Sequence, residues 1–224
     1  MEGMDFERII FLIAAGAIPV LFAITLHEVA HGWIANKLGD STAKMLGRLT
    51  MNPLKHIDPI GTVVLPIGML VFSLATTGTP FAFGWAKPIP VNTRNLKQPR
   101  RDMAIIAVGG PLANFLMAIF WAIMFTMFAA VIPDEAIASG FLTMAQIGLV
   151  FNLILMVLNL VPIPPLDGGR VLSGFVPRNL ANALDRVEPY GFLLVIALLY
   201  FGVLDKVIGP IIGALYSFIA GIFL

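Results

Sequence analysis

Two histidines and a glutamate lie close together in the stretch ITLHEVAHGWIANK, residues 24–37. Residues four apart share one face of a helix, so His27 and His31 can present their imidazole nitrogens to a single zinc ion. Glu28 lies next to that face and can reach a water on the metal. In an H-E-x-x-H arrangement the metal lowers the pKa of this water and the glutamate takes its proton. The spacing therefore indicates metal-assisted hydrolysis.

The surroundings of this cluster are unusually apolar. Residues 9–26, which precede it, contain no charged side chain. An ionisable group at bilayer depth costs about 2.5–3.5 kcal/mol, so three polar side chains within five positions need a compensating partner. A metal ion would be such a partner. The alternative is a cluster at a helix end whose polar groups reach the membrane interface.

A catalytic zinc site usually has three protein ligands, and the sequence offers two candidates for the third. His56 lies in a basic loop, where an ordinary solvated histidine is expected. Asp167 ends the uncharged stretch 136–166. The prolines within residues 162–165 forbid regular helix just before it, and two glycines follow. Asp167 is therefore the stronger candidate, and a role as N-cap of a helix over 171–175 is compatible with it.

Composition places the chain in a bilayer. The sequence is 58% hydrophobic and 12% charged, with a mean hydropathy of +0.92, against about 45–50% and 25% in soluble domains. Residues 189–204 form a marginal span, and residues 59–86 either cross the membrane or dip in and return. The sequence predicts five to six transmembrane helices in one domain, residues 1–224. The clear spans are 9–26, 103–132, 136–166 and 207–224.

Charge in the loops predicts the topology. The basic side chains fall mainly within residues 36–58, 87–101 and 162–188, whereas the loop 133–136 is acidic. If residues 59–86 re-enter, all three basic stretches lie on one side, which the positive-inside rule makes cytoplasmic. We therefore favour re-entry over full crossing. A multi-pass protein of the plasma membrane is expected, with the active site nearer the cytoplasmic side.

The segment 44–95 is rich in proline, glycine and β-formers. This composition predicts short strands or a β-hairpin instead of helix. In lipid, such backbone must be paired or must line a watery cavity. The predicted fold class is thus an all-α polytopic membrane protein with a membrane-dipping β-hairpin or re-entrant segment beside a wet site.

Two separated motifs together resemble the site-2 protease family of intramembrane zinc metalloproteases, peptidase family M50. H-E-x-x-H lies on the first span, and residues 159–168 match the family's N-x-x-P-x-x-P-L-D-G position by position. Gly110 and Asn114 match its G-x-x-x-N/S/G element. With neither a PDZ nor a CBS domain in the sequence, the chain resembles the compact prokaryotic branch.

The resemblance implies roles for individual residues. His27, His31 and Asp167 would hold one Zn²⁺ per chain, and Glu28 would act as general base. Asn159 would hold the substrate or stabilise the oxyanion, a role that suits an amide in an apolar helix. From the residues alone, an interhelical polar tie is the alternative for Asn159, as it is for Asn152 and Gln146. For Asn114 we favour helix packing, because small residues surround it: Gly109, Gly110 and Ala113.

The implied activity is zinc-dependent hydrolysis of peptide bonds within or near the transmembrane helices of membrane-protein substrates. The alternative is a membrane metal or ion transporter that uses the histidine pair and Asp167 as an ion site. It has no evident use for the glutamate, and the sequence lacks inverted repeats. Expected partners are a substrate with a transmembrane helix and the lipid bilayer, without nucleic acid. A homo-oligomer or an accessory membrane partner stays open.

Overall fold

The computed structural model describes residues 6–77 and 84–224. These two ranges contain eight α-helices joined by short connections. In chain order the helices are α1 (Phe6–Lys37), α2 (Thr42–Met45), α3 (Leu65–Thr77), α4 (Pro99–Val131), α5 (Glu135–Asn159), α6 (Asp167–Phe175), α7 (Arg178–Tyr200) and α8 (Val203–Phe223). Single turns of 3₁₀ helix occupy Pro53–Lys55 and Thr93–Asn95, and a π-helical turn, Pro59–Val64, leads into α3.

Four of these helices are long and apolar enough to cross a membrane: Ile10–Lys37, Pro99–Val131, Glu135–Asn159 and Val203–Phe223. They correspond to the four clear spans of the sequence, but the expected five to six spans are not confirmed. The marginal fifth span lies in α7, which begins with a charged first half. The apolar helix over Pro59–Ser73 is shorter than a span, and the rest of the expected re-entrant stretch includes residues 78–83, which lie outside the described ranges.

The predicted β-hairpin is not confirmed. Within residues 44–77 and 84–95 the structure has α3, short helical turns and irregular backbone but no strand. Short polar side chains explain the turns, because they accept hydrogen bonds from backbone N–H groups two or three residues ahead and so close local loops. Prolines at 88 and 90 also remove two donors that a ladder would need. The capping side chains are Asn52, Asp58 and Asn92.

The long helices pack around α4, which contacts α1, α5, α6 and α8. Small residues allow the close approach, as is usual where lipid supplies no hydrophobic drive between helices. On α5, a Cβ added at Gly148 would lie 2.5 Å from the Trp121 indole of α4. The main apolar core forms here from Ala118, Trp121, Ala122, Ala145, Leu149, Leu153 and Ile219.

A buried carboxylate fastens the end of α1 to the segment before α4. Asp40 accepts hydrogen bonds from Thr42 N and Oγ1, from Asn92 N at 2.7 Å and from Asn95 Nδ2 at 2.8 Å. Burial alone would raise the pKa of this carboxyl, but the hydrogen bonds from Thr42, Asn95 and Asn92 outweigh burial and hold the pKa below its usual range. Asp40 thereby fixes residues 92–95 against the end of α1.

This hydrogen-bonded carboxylate predicts an acid-sensitive fold. Because the folded-state pKa of Asp40 is lowered, its stabilisation is complete above the ordinary pKa and is lost as the pH falls through the folded value. We expect Asp40→Asn to lower the melting temperature in detergent above about pH 4, and the difference from wild type to shrink at lower pH. Melting curves from pH 3 to 7 measure this; a difference independent of pH would contradict it.

Candidate metal centre

Three potential ligand atoms converge where α1, α4 and α6 meet. His27 and His31 lie one turn apart on α1, with their Nε2 atoms 3.1 Å from each other. Asp167, the first residue of α6, places Oδ2 3.2 Å from each of these nitrogens. The three residues are 7%, 9% and 7% exposed. The structure thus brings together the three ligands named from the sequence, from positions 140 residues apart in the chain.

The hydrogen bonds behind the histidines fix their tautomers. His27 Nδ1 is 2.6 Å from Asn114 Oδ1, and His31 Nδ1 is 2.7 Å from Ile106 O. Both oxygens can only accept, so each Nδ1 carries the hydrogen and each Nε2 exposes a lone pair. Asp167 Oδ2 is buried and makes no hydrogen bond. With both histidines neutral, three electron-pair donors therefore face one another, an arrangement that is repulsive unless a metal ion or a proton lies between them.

The donor set and its dimensions fit zinc. Three ligand atoms of a tetrahedral zinc ion, at bond lengths of about 2.0–2.1 Å, lie about 3.3–3.4 Å apart. The observed separations are 3.1, 3.2 and 3.2 Å. Two imidazoles and one carboxylate also form a ligand set typical of catalytic zinc, which leaves a fourth position open. His27, His31 and Asp167 are thus the described residues that could hold a metal ion.

The break in helix between α5 and α6 positions the carboxylate of Asp167. Residues 160–166 run as turns, and Leu166 is the N-cap of α6, so Asp167 is its first helical residue and not its cap. A side chain at Gly168 would collide with the carbonyl oxygens of Leu160 and Val161. The glycine therefore lets α6 fold back against this turn, which directs Asp167 towards the histidines.

The small residues of α4 form the wall behind the histidines. A Cβ at Gly110 would lie 2.5 Å from both His27 Cε1 and His31 Nε2, and one at Gly109 would strike Ile34. The small-residue face expected from the sequence thus packs on α1. Asn114, one turn further along, does more than pack, because its side chain bonds His27 directly. Sequence reasoning missed this contact; the family element G-x-x-x-N was its only signal.

Glu28 is held by an irregular segment, residues 84–92. Its Oε2 accepts the backbone N–H of Ile89 at 2.7 Å. The segment is itself fastened elsewhere: Lys87 N donates to His56 O at 2.9 Å, and Arg48 Nη2 donates to Lys87 O at 2.9 Å. Glu28 therefore sits beside the ligand cluster in a fixed position, half-buried and next to the cavity.

A cavity of about 540 Å³ opens onto the cluster. Its walls are mainly apolar, with Phe151 and Leu155 on one side and Trp85 and Ile89 on the other. Polar side chains also line the cavity. They are His27, Glu28, His31, Asn159, Asp167 and Arg170. A cavity of this kind can receive an apolar chain and present one of its bonds to these polar groups.

The two remaining sequence candidates lie apart from the ligand cluster. Asn159 lines the cavity, and its Nδ2 donates to Leu155 O of the same helix at 2.9 Å. His56 is only 2% exposed and places Nε2 2.9 Å from Thr50 O. The expectation of a solvated loop histidine is therefore wrong. The ring is buried with Thr50 O as its hydrogen-bond partner, which nothing in the local sequence indicates.

Comparison with known proteins identifies the family. The family model described as Peptidase family M50 matches residues 15–133 and 124–202. The chain belongs to peptidase family M50, the site-2 protease family. Its four long apolar helices agree with a membrane protein of this family. No solved structure matches the chain.

Curated relatives of this M50 chain cover most of its length. "Putative zinc metalloprotease YwhC" of Bacillus subtilis (strain 168) is 34% identical over 199 residues, which are 88% of this chain and 85% of the relative. "Putative zinc metalloprotease Rip2" of Mycolicibacterium smegmatis is 29% identical over 206 residues, 92% of this chain and 73% of the relative. Rip2 of Mycobacterium tuberculosis (strain H37Rv) is 29% identical over 204 residues, with 88% and 71% covered.

The tight wall at Gly110 yields a test of the metal centre. Gly110→Ala would push a methyl group into both histidine rings, at a cost of about 1–3 kcal/mol for overpacking. We expect the histidine rings to shift away from this methyl group, so that the free energy of zinc binding is weakened by the same amount. Zinc affinity should then fall about 5- to 150-fold, as measured by competition with a chelator. Gly16→Ala on α1 is the control, because its Cβ would meet only Ile147 at 3.7 Å. Equal affinities in the two variants would contradict the assignment.

Proposed function

We propose that this chain is a zinc-dependent intramembrane endopeptidase. Its substrates would be membrane proteins, cleaved within or near a transmembrane helix. The observation that carries the proposal is the ligand cluster itself, three unshared electron pairs within 3.2 Å of one another. The cluster faces an apolar cavity among helices of membrane length. Membership of a peptidase family and the names of the relatives, as zinc metalloproteases, support the same conclusion.

His27, His31 and Asp167 would hold one zinc ion per chain. When bound, zinc supplies Lewis-acid polarisation of the scissile carbonyl and a lowered pKa for the attacking water. Glu28 takes the proton that this water loses as its oxygen bonds to the carbonyl carbon. As the C–N bond breaks, Glu28 gives the proton to the leaving amine. The hydrogen bond from Ile89 N holds the carboxylate in place for both transfers.

Asn159 is proposed to stabilise the negative charge on the carbonyl oxygen. Its amide nitrogen has two hydrogens, and the bond to Leu155 O uses one of them. The second is free to donate towards the cavity that Asn159 lines. An amide is well suited to this task in lipid because it carries no charge of its own.

A substrate helix must unwind locally before its carbonyl can be attacked, and the segment 84–92 offers it an edge. Trp85, Lys87 and Ile89 direct their N–H groups to the protein, at Gly61 O, His56 O and Glu28. Between them, Ala86 keeps both backbone groups available, whereas residues 88 and 90 are prolines without an N–H. The edge therefore presents mainly carbonyl acceptors to an unwound peptide.

We place the protein in the plasma membrane as a multi-pass protein, with the site nearer the cytoplasmic side. The support is the charge pattern: Lys37 ends α1 close to the site, whereas Asp134 and Glu135 mark the opposite end of the bundle. The transporter alternative is not favoured, because the chain belongs to a peptidase family and the cluster carries a positioned glutamate. Access to the cavity would be controlled by the membrane-dipping segment, by the C-terminal helices or by an accessory membrane partner.

The general-base role of Glu28 is tested by replacing its carboxylate with a carboxamide. In Glu28→Gln the carboxamide oxygen can still accept from Ile89 N, but it cannot take a proton. We expect cleavage of transmembrane peptides by purified protein in detergent to fall about 100-fold or more, since general-base catalysis contributes about 10²–10⁴. Zinc content by elemental analysis should stay at the wild-type value. Cleavage at the wild-type rate would remove the assignment.

The third ligand is tested by zinc content. Asp167→Ala removes one of three protein ligands, so we expect zinc affinity to fall by more than the roughly 100-fold that loss of an outer hydrogen-bond partner costs. Asp102→Ala is the matched control, because Asp102 is also a buried acid but bonds Gln98 N at the start of α4. Zinc retained in both variants would demote Asp167 to a structural residue.

A further inference from the structure

A chain of two neutral amides connects α5 to the metal centre. Asn114 on α4 and Asn152 on α5 are both 0% exposed. Asn114 Nδ2 donates to Asn152 Oδ1 at 2.9 Å and to Ala23 O at 3.2 Å. Asn152 Nδ2 donates to Gly148 O at 2.8 Å. The chain ends at His27, whose Nδ1 is 2.6 Å from Asn114 Oδ1.

The acceptors along this chain determine how each amide is oriented. Gly148 O can only accept, so Asn152 must direct its NH₂ group there and its oxygen towards Asn114. Asn114 must in turn direct its two hydrogens to Asn152 Oδ1 and Ala23 O, which leaves its oxygen for His27. Reversing either amide would set oxygen against oxygen in a buried site, which is costly. The hydrogen on His27 is thereby held at Nδ1.

We propose that Asn152 and Asn114 are positioning residues that fix the tautomer of His27, so that Nε2 is free for the metal. The proposal rests on the metal site of the proposed function. His31 needs no such device, because its Nδ1 bonds a backbone carbonyl that has a single orientation. A side-chain amide alone could turn over and offer its NH₂ instead. Asn152, which touches neither histidine, is what prevents this.

Neutral amides suit this position in a membrane. An aspartate in place of Asn114 would accept from His27 in either orientation, but it would bury a further charge and set an oxygen against Ala23 O and Asn152 Oδ1. The two asparagines hold the hydrogen of His27 at Nδ1 without adding a charge, but Asn114 then needs Asn152 to orient its amide. This difference yields a rescue test, because a carboxylate at position 114 should make Asn152 dispensable.

The first measurement reads the tautomer directly in the metal-free protein. The chain has three histidines, so ring-¹⁵N-labelled histidine gives a spectrum that single substitutions can assign. We expect His27 in the wild type to carry its hydrogen only at Nδ1. In Asn152→Leu, signal from the Nε2–H tautomer of His27 should appear, while His31 should not change. A wild-type His27 spectrum in Asn152→Leu would overturn the proposal.

The second measurement is zinc affinity, determined by chelator competition. We expect Asn114→Leu to weaken zinc binding about 10- to 100-fold and Asn152→Leu about 10-fold. In the Asn114→Asp background, Asn152→Leu should cost less than about 2-fold. If Asn152 only tied two helices together, its loss would lower zinc affinity equally with Asn or Asp at position 114. That result would overturn the proposed positioning of His27 by Asn152 and Asn114, here called the amide relay.

A control variant separates the effect of the amide relay on zinc affinity from the effect of a general loss of stability. Leu153→Ala removes a fully buried side chain next to Asn152 without touching the amides, at about 2–5 kcal/mol. It should lower the melting temperature yet leave zinc affinity within about 2-fold of wild type. Zinc loss equal to that of Asn152→Leu would count against the relay. Neither measurement depends on proteolysis. Failure of the protein to cleave any peptide would refute the proposed activity, whereas the tautomer of His27 would still test the amide relay.

Discussion

The structure depends on one electrostatic constraint: two imidazole nitrogens and a carboxylate oxygen, all on largely buried side chains, face one another within 3.2 Å. Without a cation these lone pairs repel, and with one they form its coordination sphere. Each element around the cluster serves to hold this arrangement. The helix α1 supplies both nitrogens in one turn, α4 approaches closely through glycine, and the break before α6 turns the carboxylate inwards.

Holding polar groups inside lipid requires that each one has a partner. The outer nitrogens of the histidines bond Asn114 and Ile106 O, and Asn114 is bonded in turn by α5. Hydrophobic burial cannot drive membrane helices together, so close packing and such hydrogen bonds must do so. The same interactions that assemble α1, α4 and α5 therefore also orient the metal ligands. These particular hydrogen bonds therefore have two effects, on helix association and on ligand orientation.

Local periodicity explains what the sequence could predict. The four spans and the shared face of His27 and His31 follow from hydrophobic length and helical spacing, and the proline and glycine pattern singles out Asp167. The β-hairpin is not confirmed: in the described part of the segment, Asn and Asp side chains accept hydrogen bonds from the backbone and form turns, a competition that composition does not resolve. The bond between His27 and Asn114 joins positions 87 residues apart. Only the tertiary packing of α4 on α1 reveals it.

In the proposed mechanism, the segment 84–92 would link substrate binding to proton transfer. It lines the cavity, and the N–H of its Ile89 holds the proposed base, Glu28. Hydrogen bonds also join the segment to Gly61, His56, Arg48 and Asp40, so its backbone is held in place along its length. A peptide bound along this segment, as proposed, would lie next to the same backbone that positions Glu28. The base and the scissile bond would then be aligned by the folded structure, and each turnover would not have to meet that entropic cost.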